Sequence, residues 1–480
     1  MPALGESKAI ALRRFYQLER RLQAKDDIRE KYIEAMREEI SNGYIERAWG
    51  KPSTASYYIP HHYVEKRFRI VHDGSCRTSN SLSLNDIQMK GPKLQFDLAD
   101  QIMRFRRHQY AVIADIKKMF KQIKVDPSQW DLQRIFWRES PNEPLLEYWM
   151  TSVVFGLKSS VHCSCRAMIQ CARDNALSYP EAAKAIENNF YMDDGLIGHE
   201  TTKGLEVLCQ EINLIMKSGG FDLRKWHSNS IEVEGLMQSS QSRDEVVLED
   251  KEKEATKVLG LKWIKSTDEL AIRVNVTAGQ KSKADTKHTW KLQAIPWDEP
   301  LPEGIAKKWT AFYAKLHALA EFRIPRWLSI KGDTLREIHG FCDACIIAYG
   351  AVIYVRTINA DGQIKCILLT SKSKIAPIKP VSIPRLELQG AVMLSRMLNH
   401  TLKICDFKDV PLYAWTDSTI VLYWLRQSPE IWAHVVSQDN PADLISRGIK
   451  ADEIIKSKFW KQGPEWLLKA KEEWPTPKLK

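Results

Sequence analysis

The stretch NNFYMDDGLIG, from Asn188 to Gly198, places two carboxylates side by side between apolar and aromatic residues. Like charges in contact repel each other, so Asp193 and Asp194 need either a solvated turn or a cation. A plain Asp-Asp-Gly turn is one interpretation. A second apolar run, YAVIAD, ends on Asp115, and buried strands do not usually carry an unpaired carboxylate. If Asp115 lies beside Asp193, the three acidic side chains would favour Mg²⁺, which prefers oxygen ligands.

Four further carboxylates could form a second acidic cluster. Asp343 lies in the apolar pattern FCDACIIAYGAVIYV, and Glu387 lies on an otherwise apolar helix face. Asp417 ends another strand pattern and Asp443 begins a short helix pattern, so helix capping is an alternative explanation for these two residues. Four carboxylates at one sheet edge would hold two Mg²⁺ ions, as would the first cluster, with Mn²⁺ as the alternative metal.

Hydrophobic periodicity indicates the elements that must position these residues. Helical periodicity covers about 6–47, and strands alternate with helices over 56–197. The pattern GPKLQFDLADQIMRFRRH predicts a helix over 91–108, and KVLGLKWI predicts a strand over 257–264. FYMDDGLIG predicts strand, tight turn and strand, whereas the region 265–297 is polar and aperiodic and predicts a linker. The segment after Arg336 predicts three strands with a hairpin turn at 361–362, then helix, strand, helix, strand and helix. That order is typical of an α/β domain with a mixed sheet.

The composition is that of a globular chain with a basic excess. The 480 residues include 71 Lys plus Arg against 60 Asp plus Glu, a formal charge of +11. This excess suggests a polyanionic partner such as nucleic acid, with a solvated basic surface as the alternative explanation. The nine cysteines form no disulfide or zinc framework, and CDAC within a strand pattern favours buried thiols. No signal peptide or membrane span is expected. The expected location is therefore intracellular and cytoplasmic, with a virus-like particle as the alternative setting.

The ordered motifs of the first half resemble the polymerase core of a retroelement reverse transcriptase. They are ADIKKMFKQI, VFGLKSS, FYMDDGLIG, GFDLRKW and LGLKW. Further phrases narrow the resemblance to the Bel/Pao group of long-terminal-repeat retrotransposons, namely IPHHYV, RFRIVHDGS, SLNDIQMKGPKLQ and DLQRIFWR. The resemblance extends over nearly the whole chain. It implies a fingers and palm polymerase of the right-hand type.

The resemblance also implies roles for individual residues. Asp115 and Asp193 would bind metal, and Asp194 would complete the site in a less direct role. The implied substrate contacts are Lys66 and Arg69 at the triphosphate, Phe120 as the aromatic barrier to a ribose 2′-hydroxyl, Phe155 and Gly156 against nucleotide and template, and Lys225 as proton donor to pyrophosphate. Core packing could equally explain Phe120, and solvated charges could explain the three basic residues. LGLKW is similar to the hairpin at the primer end, although a core strand would look alike.

The order Asp343, Glu387, Asp417, Asp443 resembles ribonuclease H. The phrases HGFCDA, AYGAV, IPRLEL, WTDS and NPADLISRG match the Bel/Pao version of that domain. The implied reaction is hydrolysis of the RNA strand of an RNA–DNA hybrid, with all four carboxylates as metal ligands. The hybrid would be recognised through its backbone and 2′-hydroxyls.

We therefore expect a multidomain α/β and α+β protein in which the polymerase is followed by a ribonuclease H-like mixed α/β sheet. The expected divisions are 1–55 helical lead into the fingers, 56–265 fingers and palm, 266–335 shortened thumb and connection, 336–450 ribonuclease H-like domain, and 451–480 Trp- and Lys-rich tail. Compared with relatives, the linker is short, the stretch after YWLR is compact, and Val161 replaces a usual proline. No protease precedes the polymerase and no integrase follows, so we expect an excised or decayed piece of a polyprotein.

The expected function is an RNA-directed DNA polymerase with ribonuclease H-like activity. Its partners would be an RNA template, a DNA primer, an RNA–DNA hybrid and deoxynucleoside triphosphates, without a membrane. The seven intact carboxylates favour this function. The shortened linker favours an alternative, a catalytically impaired remnant that still binds nucleic acid. An unrelated basic two-domain protein is disfavoured by the ordered motifs.

Overall fold

The computed structural model describes residues 4–53, 55–65, 68–239, 255–258 (backbone only), 260–274, 303–331, 334–425 and 431–475. Lys66, Leu259, most of the expected linker and part of the compact stretch after YWLR therefore lie outside the described residues. The chain divides into two compact units. The first unit comprises Met1–Phe96, Ala114–Gly195 and Val207–Lys225, and the second comprises Asp97–Ile113, Leu196–Glu206 and Trp226–Lys480.

The described helices, numbered in chain order, fall in both units. They are α1 (Lys8–Gln23), α2 (Asp26–Ser41), α3 (Leu84–Ile87), α4 (Leu98–Phe105), α5 (Ser160–Asp174), α6 (Pro180–Asn188), α7 (Thr202–Ser218), α8 (Ile231–Ser239), α9 (Glu303–Leu316), α10 (Ile383–Ile404), α11 (Thr419–Trp424), α12 (Asp443–Arg447), α13 (Ala451–Lys456) and α14 (Lys458–Gln462). Short 3₁₀ turns cover Met119–Gln122, Pro127–Gln133, His317–Glu321, Ser437–Asp439, Glu465–Leu468 and Lys471–Glu473. No helix in the described ranges combines the length and apolar character needed to cross a membrane.

The described strands form five sheets. They are β1 (Ile45–Arg47), β2 (His61–Val64), β3 (Arg69–His72), β4 (Tyr110–Ile116), β5 (Arg134–Trp137), β6 (Leu146–Met150), β7 (Phe190–Tyr191), β8 (Asp194–His199), β9 (Leu223–Ser228), β10 (Ala255–Val258), β11 (Leu261–Ile264), β12 (Glu269–Ile272), β13 (Arg323–Pro325), β14 (Leu335–Ala344), β15 (Ala348–Ile358), β16 (Ile364–Ile375), β17 (Leu412–Thr416) and β18 (Trp432–His434). The sheet orders are β1-β6-β5, β2-β3, β7-β8-β4-β9, β10-β11-β12-β13 and β16-β15-β14-β17-β18.

The core of the first unit is formed by the N-terminal helices and the β1-β6-β5 sheet. In α1 the buried residues Ala11, Phe15, Leu18 and Leu22 recur at helical spacing, so they form one apolar face. This face joins a cluster that includes residues of α2 and β5. The helical pattern read over 6–47 is thus confirmed for α1 and α2.

The second unit contains the predicted mixed sheet. β14, β15 and β16 pair antiparallel, and β14, β17 and β18 pair parallel. Because neighbouring residues of a strand point to opposite faces, Gly340 meets Leu394 of α10 whereas Phe341 meets Trp466. The sheet therefore has α10 on one face and the chain end on the other. We call residues 451–475 the C-terminal segment.

Three local predictions need correction. The helix read over 91–108 is only α4, because Gly91 has a φ of +74° and Pro92 follows it. The helical pattern to Arg47 ends at Ser41, and β1 follows. KVLGLKWI is not one strand, because Gly260 turns between β10 and β11. In the C-terminal segment, which the sequence predicts as a Trp- and Lys-rich tail, the tryptophans lie in the core of the second unit.

Candidate functional site

The first acidic cluster lies in the first unit, where the end of β4 meets the β7–β8 hairpin. Tyr191 pairs with Asp194, and Met192 adopts a left-handed φ of +55°, which turns the chain and places Asp193 in the connection. The backbone N–H of Ile116 donates to the carbonyl of Asp193 at 2.8 Å. This bond brings Asp115 beside the hairpin, so Asp115, Asp193 and Asp194 lie together.

Two of the three carboxyl groups, those of Asp193 and Asp194, have raised pKa values. Burial, followed by the negative charges of Asp193 and Asp115, raises the pKa of Asp194 to about 7. Burial and the charge of Asp115 also raise the pKa of Asp193, while Lys225 and Arg69 act in the opposite direction. A carboxyl group whose neighbours disfavour its charge is stabilised by an added cation.

Asp115 itself faces two basic side chains from β9. Arg224 Nε lies 3.0 Å from Asp115 Oδ1, and Lys225 Nζ lies 3.8 Å from Asp115 Oδ2. The prediction for this region named Lys225 but missed Arg224. DLRKW places both basic residues in one strand pattern, but strand alternation would assign them to opposite faces.

Most of the predicted substrate residues line one cavity or lie beside the first acidic cluster. Phe120 and Phe155 have ring centroids 6.0 Å apart and line, with Gly156, a cavity of about 510 Å³. Gly156 has a φ of +111°, and a Cβ there would lie 2.2 Å from the carbonyl oxygen of His72, so only glycine fits. Arg69 on β3 is exposed and close enough to Asp193 for its charge to oppose the rise in the pKa of that carboxyl. Lys66 lies outside the described residues.

Asn85 supports this cavity and was also missed by the prediction. Its side-chain amide donates to the carbonyl of Gly156 at 3.0 Å, and its oxygen accepts the N–H of Lys158 at 2.8 Å. The turn that presents Phe155 is therefore held at two backbone positions. In the sequence, SLND could have suggested only a helix start, because Ser83 caps α3.

The second acidic cluster lies in the second unit. Parallel pairing of Cys342 with Thr416 places Asp343 and Asp417 at the same end of β14 and β17. Helix α10 approaches closely there, because Gly390 lies against the carbonyl of Asp343. Glu387 is one helical turn earlier on α10, and the charge of Asp417 raises its pKa in addition to the effect of burial.

Short polar side chains hold these acids. Ser446 of α12 donates to Asp343, and Ser437 donates to Asp417. Buried Asn440 donates to the carbonyl of Cys342 at 3.0 Å and reaches Asp417 Oδ1 at 3.4 Å. These positioning contacts were not predicted, because nothing in the sequence pattern distinguishes them from ordinary turn residues.

Asp443 completes the second cluster from α12. Arg447 Nε lies 2.6 Å from Asp443 Oδ1, one helical turn away. Burial, followed by the charges of Asp417 and Asp443, raises the pKa of Asp343 to about 7, although the hydroxyl of Ser446 opposes the rise. The structure thus brings together all four acids that the sequence predicted.

Within the described ranges, no group of three or more His, Cys, Asp or Glu side chains is arranged to hold a metal ion as it stands. The donor chemistry nevertheless fits a hard divalent cation, because both clusters offer carboxylate oxygens and raised pKa values. Binding would require the side chains to reorient around the ion. Asp115 and Asp443 would also have to exchange a basic partner for the metal.

Comparisons with known proteins agree with the resemblance read from the motifs. A family model described as the Pao retrotransposon-like RNaseH-like domain matches residues 274–418. The solved structure of the foamy viral protease-reverse transcriptase in complex with RNA/DNA hybrid matches 93% of this chain with a TM-score of 0.51 and 11% identity. The match covers 56% of that protein's chain, and at this identity it shows the fold alone. No curated protein sequence matches.

The chain therefore has a mixed α/β multidomain fold that resembles a retroviral reverse transcriptase. The roles of individual site residues and the expected domain boundaries stay predictions. The family model and the structural match together confirm the resemblance to Bel/Pao-type retrotransposon proteins, with the RNaseH-like region at residues 274–418.

Proposed function

We propose that this chain is an RNA-directed DNA polymerase with an attached ribonuclease H-like activity, derived from a retrotransposon polyprotein. The observation that carries the proposal is the position of Asp115 beside Asp193 and Asp194. Asp115 is distant from the other two in the sequence, yet the three form one acidic cluster. A second cluster of four acids in the other unit supports the second activity.

The proposed organisation follows the family. Residues 56–265 would form fingers and palm after the helical lead at 1–55, and 266–335 would form the short thumb and connection. Residues 336–450 would form the ribonuclease H-like domain, followed by 451–480. The likeness to a retroviral reverse transcriptase fold supports this order of parts.

In the polymerase centre, Asp115, Asp193 and Asp194 would hold two Mg²⁺, or Mn²⁺. When bound, such ions supply activation of the primer hydroxyl and stabilisation of the leaving phosphate oxygen. The exposed guanidinium of Arg69 is suited to the triphosphate because its donors form a planar fork, and Lys66 is proposed beside it. Lys225 would donate a proton to pyrophosphate.

The cavity at Phe120 and Phe155 is proposed to receive the nucleotide sugar and base. A flat ring at Phe120 would exclude a ribose 2′-hydroxyl by contact, which favours deoxynucleotides. The resemblance implies that the backbone at Gly156 would pack on the nucleotide and template, while its missing Cβ leaves room for the carbonyl of His72. The Asn85 contacts with this turn support a fixed position for Phe155.

In the second centre, Asp343, Glu387, Asp417 and Asp443 would hold the ions for RNA-strand hydrolysis. Ser446, Ser437 and Asn440 would orient Asp343 and Asp417 through their hydrogen bonds. Water would attack the phosphodiester, and the product would keep a 3′-hydroxyl. The substrates would be an RNA–DNA hybrid here, and an RNA template, a DNA primer and deoxynucleoside triphosphates in the first centre.

Two assays with one variant each test the two activities separately. Purified protein with Mg²⁺ should extend a DNA primer on an RNA template, and Asp193→Asn should abolish extension. The same protein should cleave the RNA strand of a hybrid, and Asp343→Asn should abolish cleavage while leaving extension intact. Absence of extension by the folded parent protein, in Mg²⁺ and in Mn²⁺, would refute the polymerase proposal.

The second candidate is a nucleic-acid-binding remnant with impaired catalysis. The observation that favours it is that Asp115 and Asp443 are both already paired with basic side chains, Arg224 and Arg447. A chain of this kind would bind the RNA–DNA hybrid with the salt dependence expected of the active enzyme, but it would give no primer extension and no RNA cleavage.

A further inference from the structure

Strand β9 contains a local irregularity next to the first acidic cluster. Its burial alternates except at Arg224 and Lys225, which are both at least partly exposed although they are neighbours. Lys225 has a φ of +55°, in the left-handed region that side chains other than glycine rarely adopt. Consecutive strand residues normally point to opposite faces, so these two residues depart from the strand pattern.

Hydrogen bonds on either side of this pair support one extra residue in β9. The N–H of Lys117 donates to the carbonyl of Asp222, and the N–H of Asn229 donates to the carbonyl of Ala111. Lys117 and Ala111 are six positions apart, whereas Asp222 and Asn229 are seven positions apart. The excess of one is the signature of a β-bulge, a feature that turns side chains toward a new direction near active sites.

The consequence of the bulge is that two adjacent cations reach one carboxylate. Arg224 Nε lies 3.0 Å from Asp115 Oδ1, and Lys225 Nζ lies 3.8 Å from Asp115 Oδ2. Each oxygen of Asp115 therefore faces a positive charge. A divalent cation that approaches Asp115 meets both charges, so it must displace at least one of them.

Arg224 is the stronger competitor of the two. Its contact is the shorter one, and its side chain is 28% exposed against 52% for Lys225, so water screens it less. A charge-assisted bond from a guanidinium is also among the stronger protein hydrogen bonds. Lys225 is more solvated, and its longer contact can be released at lower cost.

We propose that Arg224 is the resident counter-ion of Asp115, which the β9 bulge positions to occupy Oδ1 in the metal-free protein and to compete with a divalent cation for that carboxylate. The inference rests on the proposed function, because it assigns a metal to the first cluster. It makes Arg224 a positioning residue that sets the metal concentration at which the polymerase centre fills.

The test is a Mn²⁺ titration by isothermal calorimetry, performed on the full chain in the Asp343→Asn background so that the second cluster contributes less. Arg224→Gln should bind Mn²⁺ on the order of tenfold more tightly than its parent, because the competing ion pair is removed. Arg173→Gln is the matched control, since Arg173 forms a comparable ion pair with Glu187 at 2.8 Å elsewhere in the same unit. This control should bind like the parent.

Unchanged or weaker binding by Arg224→Gln would overturn the inference. If Arg224→Gln does not fold without metal, recovery of its circular dichroism on addition of Mn²⁺ supports the counter-ion role. Failure to recover at saturating Mn²⁺ overturns it. Arg224→Lys adds a second measurement, because a shorter reach and a single ammonium should weaken the competition and tighten Mn²⁺ binding relative to the parent.

Failure of the proposed function would look different. In that case neither the parent nor Arg224→Gln would show Mn²⁺ binding that Asp193→Asn removes, and both proposals would fall together. Equal, Asp193-dependent binding by the parent and Arg224→Gln would overturn this inference alone and leave the metal centre in place.

Discussion

Acidification should destabilise the first unit through His61, a buried residue of β2. Its Nε2 donates to the carbonyl of Phe136 at 2.8 Å, and Nδ1 accepts from the hydroxyl of Tyr32. Both ring nitrogens are thus satisfied in the neutral form. Burial lowers the pKa of His61 from its ordinary value of 6.5 to about 4.

The sign of the effect follows from proton linkage. Because the folded-state pKa lies below the unfolded one, the stabilising contribution of neutral His61 is complete above pH 6.5 and is lost as the pH falls toward 4. One pKa unit corresponds to about 1.4 kcal/mol, so the free energy of unfolding should fall by about 3 kcal/mol over that range from this residue alone. His72, whose pKa burial also lowers, should add to the loss.

The variant His61→Asn should be less stable at neutral pH but should depend less on pH between 6.5 and 4. Amide hydrogen exchange of peptides from α2 and β5, corrected for the intrinsic pH dependence of exchange, reports this unit locally. His162→Asn, at a half-buried position of α5, is the matched control and should keep the parent's pH profile. If His61→Asn loses protection on acidification as steeply as the parent, the reasoning is wrong.

Three further predictions concern the nucleotide cavity, the chain end and nucleic-acid binding. Gly156→Ala should raise the KM for deoxynucleotides in primer extension, because the added Cβ would lie 2.2 Å from a backbone oxygen and would displace the turn that lines the cavity. The control Gly43→Ala, at a position with positive φ but open space around it, should leave the KM unchanged. Arg356→Met should lower stability by ~3 kcal/mol, because it leaves Glu337 without its buried partner at 2.6 Å. It should also expose the C-terminal segment to limited proteolysis, because it removes the donors to the carbonyls of Leu467 and Lys469. Unaltered proteolysis would contradict this. Hybrid binding should weaken by roughly 10³ between 50 and 200 mM salt, measured by fluorescence anisotropy, and a flat salt profile would argue against a phosphate-dominated interface.

The acidic clusters could be predicted from sequence because burial makes a carboxylate conspicuous. Asp115 and Asp343 interrupt or end apolar strand patterns, and a charge in such a place requires a partner. The β7–β8 hairpin was predicted because Asp-Asp-Gly between two apolar runs is typical of a tight turn that joins two strands. The structure places both clusters as those patterns required.

The remaining features depend on contacts between residues far apart in the chain. Asn85 bonds to Gly156, 71 positions later in the chain. The serine donors to Asp343 and Asp417 lie in α12 and in a short 3₁₀ turn, where serine looks like an ordinary residue. Arg224 was missed because strand alternation assigns it and Lys225 to opposite faces. Only a bulge overrides that rule, and a bulge leaves no mark in hydrophobic periodicity.

The two clusters share a physical problem, which is that a metal-binding site must fold before it binds metal. Three or four carboxylates in contact repel one another, and burial increases the cost, as the raised pKa values of Asp194 and Asp343 indicate. Each cluster contains a short ion pair, Arg224 with Asp115 and Arg447 with Asp443, that offsets part of this repulsion. The same pairs must yield when a divalent cation binds. Stability without metal and affinity for metal are therefore opposed in both centres, and a substitution that improves one should weaken the other.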